Sequence, residues 1–132
     1  MGYAVSRIAL ETIEAEARLA APREACGLLL GTGDMIEVAE VARNVAPDPL
    51  RHFEIDPAAL FAALRAERAG GRRLIGYWHS HPSGDAEPSD TDRAMAAPDG
   101  KLWLILGGGR ITGWRVEAAG FVAVALTVAD EA

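Results

Sequence analysis

A strand-forming run that ends in two histidines constrains this chain more than any other feature. Residues 73–78, Arg-Leu-Ile-Gly-Tyr-Trp, are mostly apolar, partly β-branched and aromatic, and read as a strand. The run continues as His79-Ser80-His81-Pro82-Ser83-Gly84-Asp85-Ala86-Glu87-Pro88-Ser89-Asp90-Thr91-Asp92. Alternate residues of a strand point to one face, so His79 and His81 reach the same point if the strand runs through them. Pro82, Gly84 and Pro88 then break regular structure and leave a loop able to swing Asp92 back toward the pair. Two imidazoles and one carboxylate suffice to hold a catalytic zinc, with a fourth position left for water.

Plainer readings exist for the same residues. A His-x-His on a strand is by itself more often incidental than metallic. Ser89-Asp90-Thr91-Asp92 also reads as a helix start, with Ser89 as N-cap and acidic residues in the first turn. The two readings are compatible, because a helix start is a rigid mount for a ligand. Histidines at a strand end, a breaker-rich loop, and two of only three histidines spent here favour a metal cluster.

Elsewhere the periodicities are ordinary. Residues 8–20 carry Ile8, Leu10 (or Ala9), Ile13, Ala17 and Leu19 among acidic residues, an amphipathic helix ended by Pro22. Strands are expected over 26–30 and 35–43, joined by the turn Gly31-Thr32-Gly33-Asp34. A loop follows over 44–50, then a short strand over 52–55. Asp56-Pro57 starts a helix over 58–69 that buries Leu60, Phe61 and Leu64. A short helix over 89–97 and strands over 101–106, 110–116 and 121–128 complete the chain. Gly107-Gly108-Gly109 lacks the Lys-Ser/Thr of a phosphate loop and leads into a strand, so it reads as a hairpin. The element order implies an α/β or α+β architecture with a mixed sheet.

At 132 residues a single core is sustainable, so residues 1–132 read as one domain. Half the residues are hydrophobic, yet no apolar run approaches the ~20 needed to cross a bilayer, so no membrane role is expected. The N-terminal residues lack the pattern of a secretory signal. One cysteine cannot make an internal disulfide, and a cytoplasmic location is expected. A net charge of −6 disfavours nucleic-acid binding and leaves a protein partner open, including a homodimer.

Glu24, then His79-Ser80-His81-Pro82, then Ser89 and Asp92 resemble the JAMM motif of the MPN+ (JAB) zinc metalloproteases: a distant Glu, His-x-His-Pro, a short loop, Ser, two residues and Asp. Pro22-Arg23-Glu24-Ala25-Cys26-Gly27-Leu28-Leu29-Leu30-Gly31 is similar to that family's first core strand. The resemblance covers roughly residues 8–114 and is closest to the stand-alone prokaryotic members. It implies a curved mixed sheet flanked by helices, similar to the cytidine deaminase architecture, and zinc held by His79, His81 and Asp92. In that family the residue at Ser89 helps stabilise the oxyanion. Zinc would lower the pKa of its water ligand, and one carboxylate could take that water's proton and deliver it to the leaving amine. Glu24 is the candidate, since it leads into a buried strand where its proton affinity would rise. By position alone a glutamate there is usually a solvated loop residue. The resemblance also implies a substrate with a flexible tail, often Gly-Gly, of a ubiquitin-like or sulfur-carrier protein. Such a tail is expected to add as a strand to a sheet edge, with residues 83–87 as a wall of the groove.

Rival readings remain. Cys26 as a thiol nucleophile is disfavoured by its apolar strand, where a thiol is inert. His52 reads as structural, and Trp78 and Trp103 as core. A non-catalytic MPN scaffold would lack the metal ligands, all of which are present. A zinc hydrolase of a small-molecule amide stays open; a deaminase would need a Pro-Cys-x-x-Cys pair that one cysteine cannot supply.

Overall fold

The computed structural model describes residues 2–129. In chain order the elements are β1 (Gly2–Ser6), α1 (Arg7–Ala20), β2 (Cys26–Thr32), β3 (Met35–Ala42), α2 (Pro57–Arg68), β4 (Arg73–His81), α3 (Asp90–Met95), β5 (Leu102–Gly107), β6 (Arg110–Glu117) and β7 (Gly120–Ala129). The strands run β1-β3-β2-β4-β5-β6-β7 around a closed barrel. Pairs β1–β3, β1–β7 and β4–β5 are parallel and the others antiparallel. The expected mixed, curved sheet with helices is therefore present. It closes on itself because β1, which hydrophobic periodicity does not announce, bridges β3 and β7. The closure is partial, since β1 meets β3 only at Ala4–Val5 against Met35–Ile36 and no strand among the described residues covers the outer side of β3 beyond Ile36.

Helix α1 begins at Ser6, whose hydroxyl oxygen accepts the Ala9 N–H at 3.0 Å and whose hydrogen goes to the Glu37 carbonyl at 2.9 Å. Its buried residues Ala9 and Ile13 share one core with Val5, Leu29, Ile36, Ile75, Trp78 and Leu104. Helix α2 covers the opposite face of β2 and β4, where Leu28, Leu74 and Tyr77 meet Leu60, Ala63 and Leu64. Phe61, expected inside, is 62% exposed. One residue beyond Leu60 is about 100° further round the helix, and α2 contacts the sheet along a single stripe.

A bulge in β4 decides which way the histidines point. Leu29 pairs with Gly76 but Leu30 pairs with Leu74, leaving Ile75 as the extra residue. Ile75 and Trp78 therefore both enter the α1 core, while Leu74 and Tyr77 face α2. Alternation from Tyr77 onward carries His79 and His81 to the α2 side, away from the α1 core.

The expected strand over 52–55 is not formed. A single bridge joins Asn44 and Ile55, and the Asn44 side chain takes the place of a ladder. Its amide nitrogen donates to the carbonyls of Glu24 and His52 at 3.0 Å each, and its oxygen accepts the N–H groups of Ala46 and Glu54. No helix among the described residues is long and apolar enough to cross a membrane.

Candidate functional site

Strand β4 runs through both histidines, so strand parity puts His79 and His81 side by side with their Nε2 atoms 3.0 Å apart. Asp92 arrives from the third position of α3. Its Oδ2 lies 3.1 Å from His79 Nε2 and 3.2 Å from His81 Nε2. The helix start that aims it is a reciprocal cap. Ser89 Oγ accepts the Asp92 N–H at 3.0 Å, and Asp92 Oδ2 accepts the Ser89 N–H at 2.9 Å. The capping and ligand readings of this tetrapeptide thus hold in one geometry. The cap uses the acceptor side of the Ser89 hydroxyl and leaves its hydrogen uncommitted.

Glu24 precedes β2 and is clamped from both sides. Its N–H donates to the Pro49 carbonyl at 2.8 Å, and its own carbonyl accepts from Asn44. The next residue, Ala25, donates its N–H to Ser80 Oγ at 2.8 Å and accepts the Ser80 N–H at 3.0 Å. Ser80, between the two histidines, therefore fastens the Glu24 segment to the histidine strand. Glu24 as a residue is 7% exposed, and its Oε1 is buried without a hydrogen-bond partner. One of its carboxylate oxygens and a ring nitrogen of each histidine lie within 4.8 Å of one another.

These donors suit a small divalent cation. Tetrahedral ligands at usual zinc distances lie about 3.3 Å apart, and the two Nε2 atoms and Asp92 Oδ2 are spaced as one face of that tetrahedron. His81 Nδ1 sits 2.7 Å from the Asp85 carbonyl, which only accepts, so Nδ1 carries a hydrogen. In the neutral ring Nε2 then presents a lone pair to the acceptor-only Asp92 carboxylate, an arrangement stable only with a proton or metal cation between them. Two carboxylates compete for the third ligand position. Asp92 has the ligand-to-ligand spacing; Glu24 stands further off and keeps a free oxygen. His79 departs from the usual pattern, since its buried Nδ1 has no hydrogen-bond partner. Its ring is held by packing instead, stacked on Phe53 at 4.2 Å and edge-on to Trp103 at 5.5 Å.

Electrostatics separate the two acids. Burial pushes the Glu24 carboxyl up to about 7, opposed by His81 and reinforced by Asp92. Burial alone would also raise Asp92, but bonds from His79 and His81 outweigh it and hold that carboxyl well below the usual range. Burial lowers His79. Burial pulls His81 down too, but Asp92 and the Asp85 carbonyl outweigh it and the net shift is upward. The Cys26 thiol is buried and pushed up to about 12, first by burial and then by Glu24.

All five residues expected at the site are brought together. Ser80, Asn44 and Phe53 escape sequence reading because each acts through tertiary contacts, although a serine between two candidate ligands was a usable signal. Trp103, expected in the core, is 7% exposed and also walls His79. A cavity of about 300 Å³ opens over Glu24, His81 and Ser89, walled by residues 83–85 and 87. A second, of about 260 Å³, lies beyond Asp92 among Phe53, Leu60, Tyr77, Met95 and Trp103.

The family described as prokaryotic homologs of the JAB domain matches residues 6–119. A desampylase of Haloferax volcanii is 38% identical over 86 residues, covering 64% of this chain and 62% of that protein. A probable TtuB-protein conjugate cleaving protease of Thermus thermophilus is 40% identical over 88 residues, covering 67% of this chain and 59% of that protein. The chain thus spans less than two thirds of the length of these relatives. The solution structure of a protein from Desulfitobacterium hafniense matches with a TM-score of 0.86 at 28% identity, covering 99% of this chain and 94% of that one.

Proposed function

The chain belongs to the prokaryotic homologs of the JAB domain, and from that premise we propose that residues 1–132 act as one zinc-dependent peptidase or isopeptidase domain. Its substrate is a conjugate or fusion of a ubiquitin-like or sulfur-carrier protein, cut after a flexible Gly-Gly tail. The desampylase and conjugate-cleaving names of its relatives support the substrate class. The observation that carries the chemistry is the convergence of three donor atoms within 3.2 Å beside a buried, unpartnered carboxylate oxygen.

His79, His81 and Asp92 would hold zinc. Zinc supplies a Lewis acid that brings a water's pKa toward neutrality. Glu24 then has two duties. Its carboxylate takes a proton from the attacking water and returns it to the amine as the C–N bond breaks. A carboxyl poised near 7 is matched to both transfers. The uncommitted hydrogen of Ser89 donates to the carbonyl oxygen as negative charge develops there. Phe53 and Trp103 keep the His79 side dry and fix that ring. The tail lies in extended form along residues 52–55, whose Phe53 stacks on His79. Glycines suit that path because they bring no side chains against the ligand shell.

Two measurements test the proposal. Elemental analysis should find about one zinc per chain in the wild type and none in His79→Ala/His81→Ala. Mass spectrometry of sulfur-carrier fusions should show cleavage after Gly-Gly and survival of an Ala-Ala junction. Equal zinc in both proteins removes the ligand assignment. Equal cleavage of both fusions, or cleavage of small amides alone, moves the reading to a general peptidase or small-molecule hydrolase.

A further inference from the structure

The hydrogen bond that orients His81 is itself held from behind. Its acceptor, the Asp85 carbonyl, belongs to a loop in which Ser83, Gly84, Asp85 and Glu87 are exposed. Ala86 alone among them is buried, at 3% exposure. Thr112 of β6 donates its hydroxyl to the Ala86 carbonyl. The same oxygen accepts the Trp114 indole N–H at 2.9 Å, which leaves the hydroxyl hydrogen directed at Ala86. Gly107, the last residue of β5, lies against this peptide from the other side. A Cβ there would sit 2.3 Å from the Asp85 carbonyl oxygen and 2.9 Å from the Ala86 nitrogen. Gly108 and Gly109 have positive φ, 57° and 75°, and make the hairpin turn, whereas Gly107 does not. The first glycine of the triplet is there for space.

We infer that Thr112 and Gly107 are positioning residues for the metal centre, setting the ring orientation and tautomer of His81 through the backbone of Asp85 and Ala86. Gly107 lets the Asp85–Ala86 peptide come close, and Thr112 ties down the carbonyl of the next peptide, Ala86–Glu87, so that Ala86 is held at both ends. The Asp85 carbonyl then holds the hydrogen on Nδ1, so that Nε2 faces His79 and Asp92 with its lone pair. The inference rests on the ligand role proposed for His81.

Zinc affinity, measured by competition with a chromophoric chelator, is the test, run beside thermal denaturation of the metal-free proteins. Thr112→Val keeps the strand-compatible shape and removes the donor. It should weaken zinc binding about tenfold, the low end for loss of an outer-shell partner. Thr112→Ser restores the hydroxyl and should recover affinity close to wild type. Gly107→Ala should weaken binding at least as much as Thr112→Val; if it does not fold, the Thr112 pair decides alone. Wild-type affinity in folded Thr112→Val overturns the inference, even if its Tm falls, because a purely structural role would lower stability without touching affinity. A serine variant no better than valine overturns it as well. If zinc binding is unchanged in His79→Ala/His81→Ala, the ligand assignment falls and takes this inference with it. Binding lost in that double variant but unaffected in Thr112→Val overturns this inference alone.

Discussion

Glu24 combines burial with a free oxygen, and that combination makes opposite demands on stability and on catalysis. Its carboxyl is pushed from an ordinary 4.5 up to about 7, so between those values the unfolded chain has released a proton that the folded chain retains. Stability therefore falls as pH rises through this window, and the penalty is complete above pH 7. Glu24→Gln removes it. In metal-free protein the variant should be more stable than wild type at pH 8 by about 2 kcal/mol. The gap should close below pH 4.5, as denaturant melts at both pH values would reveal. The same variant should keep zinc and lose most hydrolysis, because an amide cannot accept the proton; wild-type turnover would remove Glu24 as the base. Cys26 offers the contrasting case. A buried thiol pushed up to about 12 supplies no thiolate at neutral pH. Cys26→Ala should retain activity on a cleavable fusion while a chelator abolishes it, and activity lost at intact fold and zinc content would restore the thiol mechanism.

Helix α3 is only six residues long, too short to hold itself together by backbone hydrogen bonds alone. Its start is fixed by the reciprocal Ser89–Asp92 cap, and Asp92 stands on its first turn. Ser89→Ala deletes the acceptor for the Asp92 N–H and the proposed oxyanion donor together. Stability should drop by about 1 kcal/mol and kcat by roughly 10²-fold or more, with zinc still bound because the Ser89 backbone N–H continues to hold Asp92 Oδ2. Calorimetry and steady-state kinetics on one preparation would measure both. A kcat close to wild type would confine Ser89 to capping. In β4 the bulge at Ile75 does for orientation what the cap does for α3. Strand parity makes His79 and His81 neighbours; the extra residue chooses the face on which they meet.

Across the whole molecule the site is assembled from the segment before β2, from β4 and from α3, separated in sequence and joined by Ser80, Asn44 and the 83–88 loop. Ligands on β4 and α3 would couple metal binding to global stability. At a zinc concentration a thousandfold above Kd, linkage adds about 4 kcal/mol. That corresponds to a Tm rise on the order of 10 °C for a domain of this size. Thermal melts with zinc and with chelator should show that shift in wild type and none in His79→Ala/His81→Ala. A shift of equal size in both would place the stabilising zinc elsewhere.

The local rules were legible in the chain itself. Strand parity brought His79 and His81 together, breakers in 82–88 allowed Asp92 to return, and Ser89 carried the signature of an N-cap; each depends on residues close in sequence. The mixed sheet with helices was legible from the element order, whereas Glu24, 55 positions before His79, joined the motif only through the family resemblance. Tertiary structure alone decided the rest. Strand β1 closes the barrel through partners some 30 and 120 residues away, a pairing that no short periodicity encodes. The strand expected over 52–55 gave way because the Asn44 side chain satisfies backbone groups from Glu24, Ala46, His52 and Glu54, and Phe61 turned outward because α2 meets the sheet along one stripe. The role of Glu24 stayed ambiguous by position, since a glutamate after a proline is solvated unless packing buries it. Burial, bulge register and ring closure are properties of distant segments meeting, and they determined which local possibilities became the site.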